Sequence, residues 1–411
     1  MVSARINGER LRARLEELAT IGRTADGGVS RFSYSPEHAA AVRLVARWMR
    51  EAGAEPAVDA WGNLFGVVPG DAGTLPPVAS GSHLDTVPNG GIFDGALGVL
   101  AAVEVAAAFH DAGARPRHPL LLVGFAEEEG TSYGVGCLGS LGVVGRAPVP
   151  EALHDAGGRS AADALRAFDT GLPKRTVPMP MAAYLELHIE QGPTLAARET
   201  PLASVDAIVG ISRLTLEFVG EANHAGTTPM DVRRDALWGA ADLVSAVRSL
   251  VRDTGGRAVG TVGRLVVSPG ATNVVPGRVE LVVELRSSDD RLLAALRERV
   301  DGECRACARR YGLGLEGRAW RMEAPVPLNR SIHDEIEAAA HDLGWPLVSM
   351  SSWAGHDAKI LGAVVPSGMI FVPSVDGVSH SPRERTAWED VGRGAQVLCR
   401  AIERIDRGQA A

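Results

Sequence analysis

No apolar run in this sequence approaches the roughly 20 residues that span a bilayer, so no membrane helix is expected. Nor is there a basic stripe. Net charge is −8, with acidic and basic residues mixed along the chain, which offers no footing for nucleic acid. The stretch MVSARINGERLRARLEELAT lacks an apolar core followed by a cleavage site, so no signal peptide is expected. It reads instead as an amphipathic helix with Ile6, Leu11, Leu15 and Leu18 on one side. Cysteine is scarce. Cys137, Cys304, Cys307 and Cys399 are too few and too scattered for a disulfide framework, which fits a reducing cytoplasm. Cys304 and Cys307 form a C-x-x-C on a helical pattern, but no second pair completes a zinc site, and they read as packing residues.

What is present is an ordinary globular composition, 22% charged and 45% hydrophobic, in a chain of 411 residues, long enough for two domains. Ser35-Pro36 reads as an N-cap and first-turn proline opening a helix through Met49. GNLFGVV and PPVASGSH follow as strands, DGALGVLAAVEVAAAFHDAG as a helix, and PLLLVGFA as a buried strand. Alternating strands and helices predict an α/β layer with a largely parallel sheet. After about Gly210 the pattern changes. ISRLTLEFVG, RAVGTVGRLVV and RVELVVELRS alternate with period two, as strands with one covered face do, and two long helical patterns accompany them. The expected architecture is therefore one mixed-sheet α/β domain, residues 1–210 and 325–411, interrupted by a smaller α+β domain over 211–324.

Chemistry-bearing residues gather at the expected strand ends. In SGSHLDTVPNGGIFDGALGV, His83 and Asp85 share one face of a strand, and Asp94 follows a glycine-rich turn just before a helix. One ring nitrogen of His83 could ligate a metal while Asp85 orients the ring. FAEEEG sets three carboxylates side by side, a costly arrangement unless a cation compensates them. LELHIEQGP carries His188 and Glu190 on one face, and VDGVSHSP puts His380 in a turn before the last helix. Taken singly, each also reads as a loop histidine, a helix cap or a solvated acidic turn. Together they form an open-sheet crevice site whose nitrogen and oxygen donors suit Zn²⁺, Mn²⁺, Co²⁺ or Ni²⁺.

Six segments in order, SGSHLDTVPNGGIFDGALGVL, FAEEEG, LELHIEQGP, NHAGTTPMDVRRDAL, GATNVVPG and FVPSVDGVSHSP, resemble the hydantoinase/carbamoylase amidase branch of the M20 metallopeptidase family. The resemblance runs from about Gly81 to Pro382, and HIEQGP is its most discriminating part. It implies two divalent metal ions per subunit: His83 and His188 on one, Glu129 and His380 on the other, and Asp94 bridging both. It further implies Glu128 as general base toward a metal-bridging hydroxide. His224 is implied as a donor to the developing negative charge, reaching the partner's site across a homodimer. Asn273 and Arg286 match residues that bind a substrate α-carboxylate, for which the planar guanidinium fork is suited. Gln191 and His356 are implied as site-lining residues. Glu127 has no role in this pattern and reads as part of a surface turn.

By the same resemblance, the inserted domain is a lid or dimerisation domain and the partner molecule is a small carboxylate. The leading expectation for activity is hydrolysis of N-carbamoyl-L-amino acids. Allantoate hydrolysis, dipeptidase or aminoacylase activity, and an inactive metal-dependent binding protein are the alternatives. Two departures from the family pattern bear on the pocket rather than the ligands. Ser132 and Tyr133 follow Thr131 where a small residue and an arginine are usual, and Trp353 stands where glycine is usual.

Overall fold

A computed structural model describes residues 4–72 and 74–408. The chain runs through α1 (Gly8–Leu18), α2 (Pro36–Glu51), β1 (Glu55–Val58), β2 (Leu64–Val68), β3 (Val78–His83), α3 (Ala96–Asp111) and β4 (Leu120–Phe125). It continues through α4 (Leu138–Val143), α5 (Ala161–Ala167), β5 (Ala183–Ile189), α6 (Thr194–Ala197) and β6 (Ala203–Ile208). Next come β7 (Gly210–Val219), β8 (Asn223–His224), α7 (Ala236–Arg252), β9 (Val259–Ser268), β10 (Val274–Val275), β11 (Arg278–Ser287), α8 (Asp290–Tyr311) and β12 (Gly314–Glu323). The last stretch holds β13 (Val326–Pro327), α9 (Arg330–Asp342), β14 (Val348–Ser352), α10 (Asp357–Leu361), β15 (Ser367–Val372) and α11 (Trp388–Asp406). Two compact units result, Met1–Asp206 with Pro327–Ala411, and Ala207–Val326. Among the described residues, no helix is long and apolar enough to cross a membrane.

The larger unit is built on a mixed sheet with strand order β1-β2-β4-β3-β5-β15-β6-β13, to which β14 adds beside β6. Its centre, β4-β3-β5-β15, is parallel, while β2 against β4, and β6 against β15, run antiparallel. Buried strands such as LLLVGF and AYLELHI have no polar alternation because helices cover both faces. Helix α3 is buried almost all round. It lies so close to the sheet that a Cβ on Gly98 would come within 2.5 Å of the Leu187 carbonyl oxygen. Ser35 caps α2 by accepting the His38 N–H at 3.1 Å, with Pro36 in the first turn. Leu11, Leu15 and Leu18 of α1 are fully covered, as their helical spacing predicts, and Ile6 packs beside them at the edge. The amide of Leu328 donates to the Asp206 carbonyl at 2.9 Å, so the chain leaves this unit and re-enters it at neighbouring positions.

The smaller unit is a four-stranded antiparallel sheet, β12-β7-β11-β9, with α7 and α8 packed on one face. β11 alternates strictly, burying Val279, Leu281, Val283 and Leu285 against Leu243, Val247, Leu293 and Leu296. Cys304 and Cys307 are buried in the same core as free thiols. Strand β12 was not legible in the sequence. GLEGRAWRME leaves most of its residues exposed and is bulged between Glu316 and Ala319, so it carries no apolar alternation. A short pairing, His224 opposite Val274, joins β8 to β10 at the end of the sheet where β11 begins.

Candidate metal centre

The parallel centre of the large sheet delivers most of the expected ligands. His83 is the last residue of β3, and His188 is next to last in β5. β3 and β5 pair in register Val78 to Ala183, which sets the two histidines level, with ring centroids 6.0 Å apart. The acidic turn Glu127–Glu129 leaves the end of neighbouring β4, and His380 arrives from the loop after β15. This is the crevice beyond the carboxyl ends of parallel strands, where α/β sheets gather functional groups. Asp94 comes from the turn before α3. Gly95 bends that turn at φ 63°, and a Cβ there would sit 2.4 Å from the His83 ring, so only glycine fits.

Asp94 is the hub. Its Oδ1 lies 3.1 Å from His188 Nε2 and 3.5 Å from His83 Nε2. Its Oδ2 lies 3.2 Å from His380 Nε2, which is itself 3.4 Å from Glu129 Oε2. Two sets of potential ligand atoms therefore meet at one carboxylate: His83, Asp94 and His188, and Asp94, Glu129 and His380. Glu128 Oε2 stands 3.7 Å from His83 Nε2.

Hydrogen bonding on the far side of the rings fixes their tautomers. His83 Nδ1 meets the Asp85 carbonyl oxygen at 3.0 Å, and His188 Nδ1 meets that of Ile189 at 2.9 Å. A carbonyl only accepts, so each Nδ1 carries the hydrogen and each neutral ring turns a lone pair on Nε2 toward Asp94. His188 Nε2, fully buried, has no hydrogen-bond partner. Lone pairs aimed at carboxylate oxygens repel unless a proton or a metal cation lies between them. The donor set is thus built to fit divalent cations.

The charges answer to the same crowding. Burial pushes Asp94 up, yet the rings of His188, His380 and His83, which the surrounding carboxylates raise and which become cationic when a proton sits on Nε2, override it and hold its carboxyl well below the usual range. Glu129, lacking so many cationic neighbours, is pushed up to about 7 by burial and by Asp94. Burial drives His356 well down, with His188 adding to the effect, so it stays neutral.

Asp85 serves this site differently from the expected ring-orienting carboxylate. Its backbone carbonyl holds the His83 ring, while the carboxylate stands 3.8 Å from Nδ1. The carboxylate instead accepts the Glu128 and Glu129 N–H groups, each at 3.2 Å, and shapes the acidic turn. Glu127 corrects the surface-turn expectation. It is fully buried, and its Oε1 accepts the Ser132 and Tyr133 amides at 2.8 and 2.6 Å. Burial and the neighbouring Asp85 push its carboxyl up to about 7. Its side chain closes the turn from inside, a role that a polar tripeptide pattern does not reveal.

Gln191 donates from Nε2 to Asp94 Oδ2 at 2.8 Å, and the His356 ring sits edge-on to His188 at 4.5 Å, with its Nε2 2.9 Å from Ser352 Oγ. Glu190, which alternation put beside His188, instead accepts the Thr194 and Leu195 amides at the start of α6. Glu127, Cys137, Gln191 and His380 all take left-handed backbone at φ 53–59°. Such strain in non-glycine residues clusters at functional sites.

The remaining expected residues belong to the smaller unit. His224 is exposed on β8, and its Nδ1 accepts the Gly226 and Thr227 amides at 3.1 Å, leaving Nε2–H free to donate outward. Asn273 is its neighbour, its carbonyl accepting the Ala225 amide at 3.0 Å. Arg286 lies near the other end of β11, its Nε and Nη2 both 2.7 Å from Glu284.

Residues 79–404 match the family described as Peptidase family M20/M25/M40. The chain belongs to that family. Within the M20 family it falls in the hydantoinase/carbamoylase amidase branch, and it is a hydrolase of C–N bonds. It is 40% identical to an N-carbamoyl-L-amino acid amidohydrolase of Geobacillus stearothermophilus, over 98% of this chain and 100% of that one. Identity to the allantoate amidohydrolase of Escherichia coli (strain K12) is 34%, over 93% and 94% of the two chains. A hydantoinase/carbamoylase family amidase from Burkholderia multivorans has the same fold, with a TM-score of 0.91, 35% identity, and 97% and 98% of the two chains covered.

Three further residues of this M20 chain shape the centre without being singled out by the sequence motifs. Glu384 accepts the Phe93 and Asp94 amides at 3.0 and 3.1 Å and so holds the turn that carries Asp94. Ser379 bridges the Asp94 and Glu384 carboxylates at 3.0 and 2.9 Å. Cys137 reaches Glu128. Only Ser379 and Glu384 had a signal to offer, an adjacent hydroxyl and an acid four residues beyond His380.

Proposed function

We propose that this enzyme hydrolyses the ureido C–N bond of N-carbamoyl-L-amino acids with two divalent cations. The observation that carries the reading is Asp94, one carboxylate whose two oxygens face separate sets of ligand atoms. His83, His188 and Asp94 would hold one cation, and Asp94, Glu129 and His380 the second. Zn²⁺, Mn²⁺, Co²⁺ or Ni²⁺ suits such a donor set. When bound, the cations supply Lewis acidity, polarising the scissile carbonyl and acidifying the attacking water. Glu128 accepts the water's proton and delivers it to the departing nitrogen. His224 donates from Nε2–H to the developing oxyanion, since its Nδ1 is already committed to two backbone amides. Arg286 and Asn273 hold the α-carboxylate, which must share the Arg286 fork with Glu284 or displace it. The carbamoyl substrate is supported by relatives of that name at 36% and 40% identity over nearly the whole chain.

These substrate contacts favour a homodimer. His224 and Asn273 lie where β11 begins, and Arg286 lies eight residues further along it, roughly 26 Å at strand rise. One subunit cannot bring all three onto one small carboxylate; two copies can. The four buried free cysteines support a cytoplasmic location.

The test is turnover by chelated protein reloaded separately with each of the four metals, using N-carbamoyl-L-amino acids, allantoate and dipeptides. The expected result is metal-restored activity that is highest on a carbamoyl substrate. No turnover of any N-carbamoyl or N-acyl amino acid with any metal sinks the proposal. A preference of more than ~10-fold in kcat/KM for dipeptides would assign the site to peptide hydrolysis instead.

A further inference from the structure

A carboxylate at the end of a glutamate side chain turns easily about its last torsion, so a general base needs something to aim it. For Glu128 that something is on the segment that follows the acidic turn. Three successive backbone bonds zip this segment onto the turn: Gly139 N–H to Ala126, Leu138 N–H to Glu127 and Cys137 N–H to Glu128, at 2.9–3.0 Å. They hold Cys137 at φ 57°, ψ 30°, a left-handed conformation that costs a non-glycine residue roughly 1 kcal/mol. In that conformation the buried thiol donates to Glu128 Oε1 at 3.4 Å, an ordinary reach for sulfur, while Oε2 stays turned toward His83 Nε2 at 3.7 Å.

We propose that Cys137 is a positioning residue for the reaction: its S–H fixes the Glu128 carboxylate so that Oε2 meets the attacking water. The inference rests on Glu128 being the base. The choice of thiol has a chemical logic. A hydroxyl or a cation in this place would bind the carboxylate strongly and lower its appetite for a proton. A thiol is a weak donor, so it fixes the direction of Glu128 and leaves its basicity nearly intact. Burial, together with Glu128 itself and Asp357, pushes the thiol well up, so it remains protonated and able to donate. The residue touches neither substrate nor the proposed ligands; it acts through Glu128.

Cys137→Ala and Cys137→Ser are compared with wild type and Glu128→Gln, all as metal-loaded enzyme acting on the best carbamoyl substrate from the panel above. Alanine keeps the same backbone demand and only deletes the donor. It is expected to lower kcat about 10-fold with KM within roughly twofold. Serine, which keeps a donor, is expected to recover part of that loss, with the acidic limb of its kcat pH profile moved to lower pH because the stronger hydroxyl bond lowers the basicity of Glu128. The S–H stretching band in the infrared reads the contact without turnover. The component lost in Cys137→Ala should move to the frequency of a freer thiol in Glu128→Gln. Wild-type kcat in Cys137→Ala, serine as poor as alanine, or a band blind to Glu128→Gln each overturns the proposal. Normal turnover by Glu128→Gln would instead remove the base assignment, while the band still reports whether the thiol touches residue 128.

Discussion

At the scale of single residues, the proposed mechanism separates groups that hold cations from groups that move protons. Glu128→Gln is expected to retain the metal content of wild type by elemental analysis yet lose roughly 10²- to 10⁴-fold in kcat, because the proposed base and the proposed ligand Glu129 are neighbouring but different residues. Asp94→Asn tests the hub. Having lost the charge that faces both ligand sets, it should lose affinity for both cations together, read as metal content after dialysis. Retention of one full equivalent would show that Asp94 does not bridge. The sequence made the proposed ligand side chains legible because their motifs survive as text. It was silent on residues that act through backbone or from behind. Asp85 holds His83 by its carbonyl, and Glu127 is buried in a run of three acids that looks solvated. A one-dimensional pattern records side-chain identity, not which atom of a residue is used.

At the scale of elements, strand ends and the turns beyond them set the geometry. The β3–α3 turn works only because Gly95 takes φ 63° with the His83 ring where a Cβ would be. Gly95→Ala should therefore displace His83 or Asp94 and weaken metal binding at least ~10-fold, measured by competition with a chelator, on top of a lower Tm. Unchanged affinity would mean the turn can relax without moving a ligand. Parallel strands and amphipathic helices were readable because burial on both faces or on one stripe writes itself into the sequence. β12 was not readable, since an exposed, bulged strand has no apolar face to betray its period. The short β8–β10 pairing escaped for the same reason, at two residues per strand.

At the scale of the whole molecule, acid stability and assembly are open to direct measurement. His38 is fully buried, stacked on Phe168, and takes the Tyr34 amide on Nδ1. Burial, aided by Arg31, lowers its pKa to about 3, against about 6.5 in an unfolded chain. The unfolded chain therefore binds a proton that the fold refuses. Stability from this group is complete above pH ~6.5 and drains away as pH falls toward 3. His38→Gln should flatten that decline, seen as a smaller drop in urea midpoint between pH 7 and pH 5 than wild type suffers. If the two declines coincide, other groups govern acid unfolding. For assembly, two disabled variants are informative together. With His224 acting across the proposed homodimer, His224→Ala and Glu128→Gln should each be nearly inactive, whereas subunits exchanged between them should regain activity, because a mixed dimer would then have one site free of both lesions. No recovery after verified exchange would place His224 on its own subunit's site.

The hydrogen bond from Leu328 to Asp206 has an architectural consequence. The 120-residue excursion Ala207–Val326 begins and ends at adjacent points on one sheet edge. Such a junction can be sealed. A chain in which a short glycine linker replaces the excursion should still fold and take up two cations. It should be monomeric and silent toward substrate, which would divide the gene into a cation-holding body and a removable module that evolution could exchange without disturbing the ions.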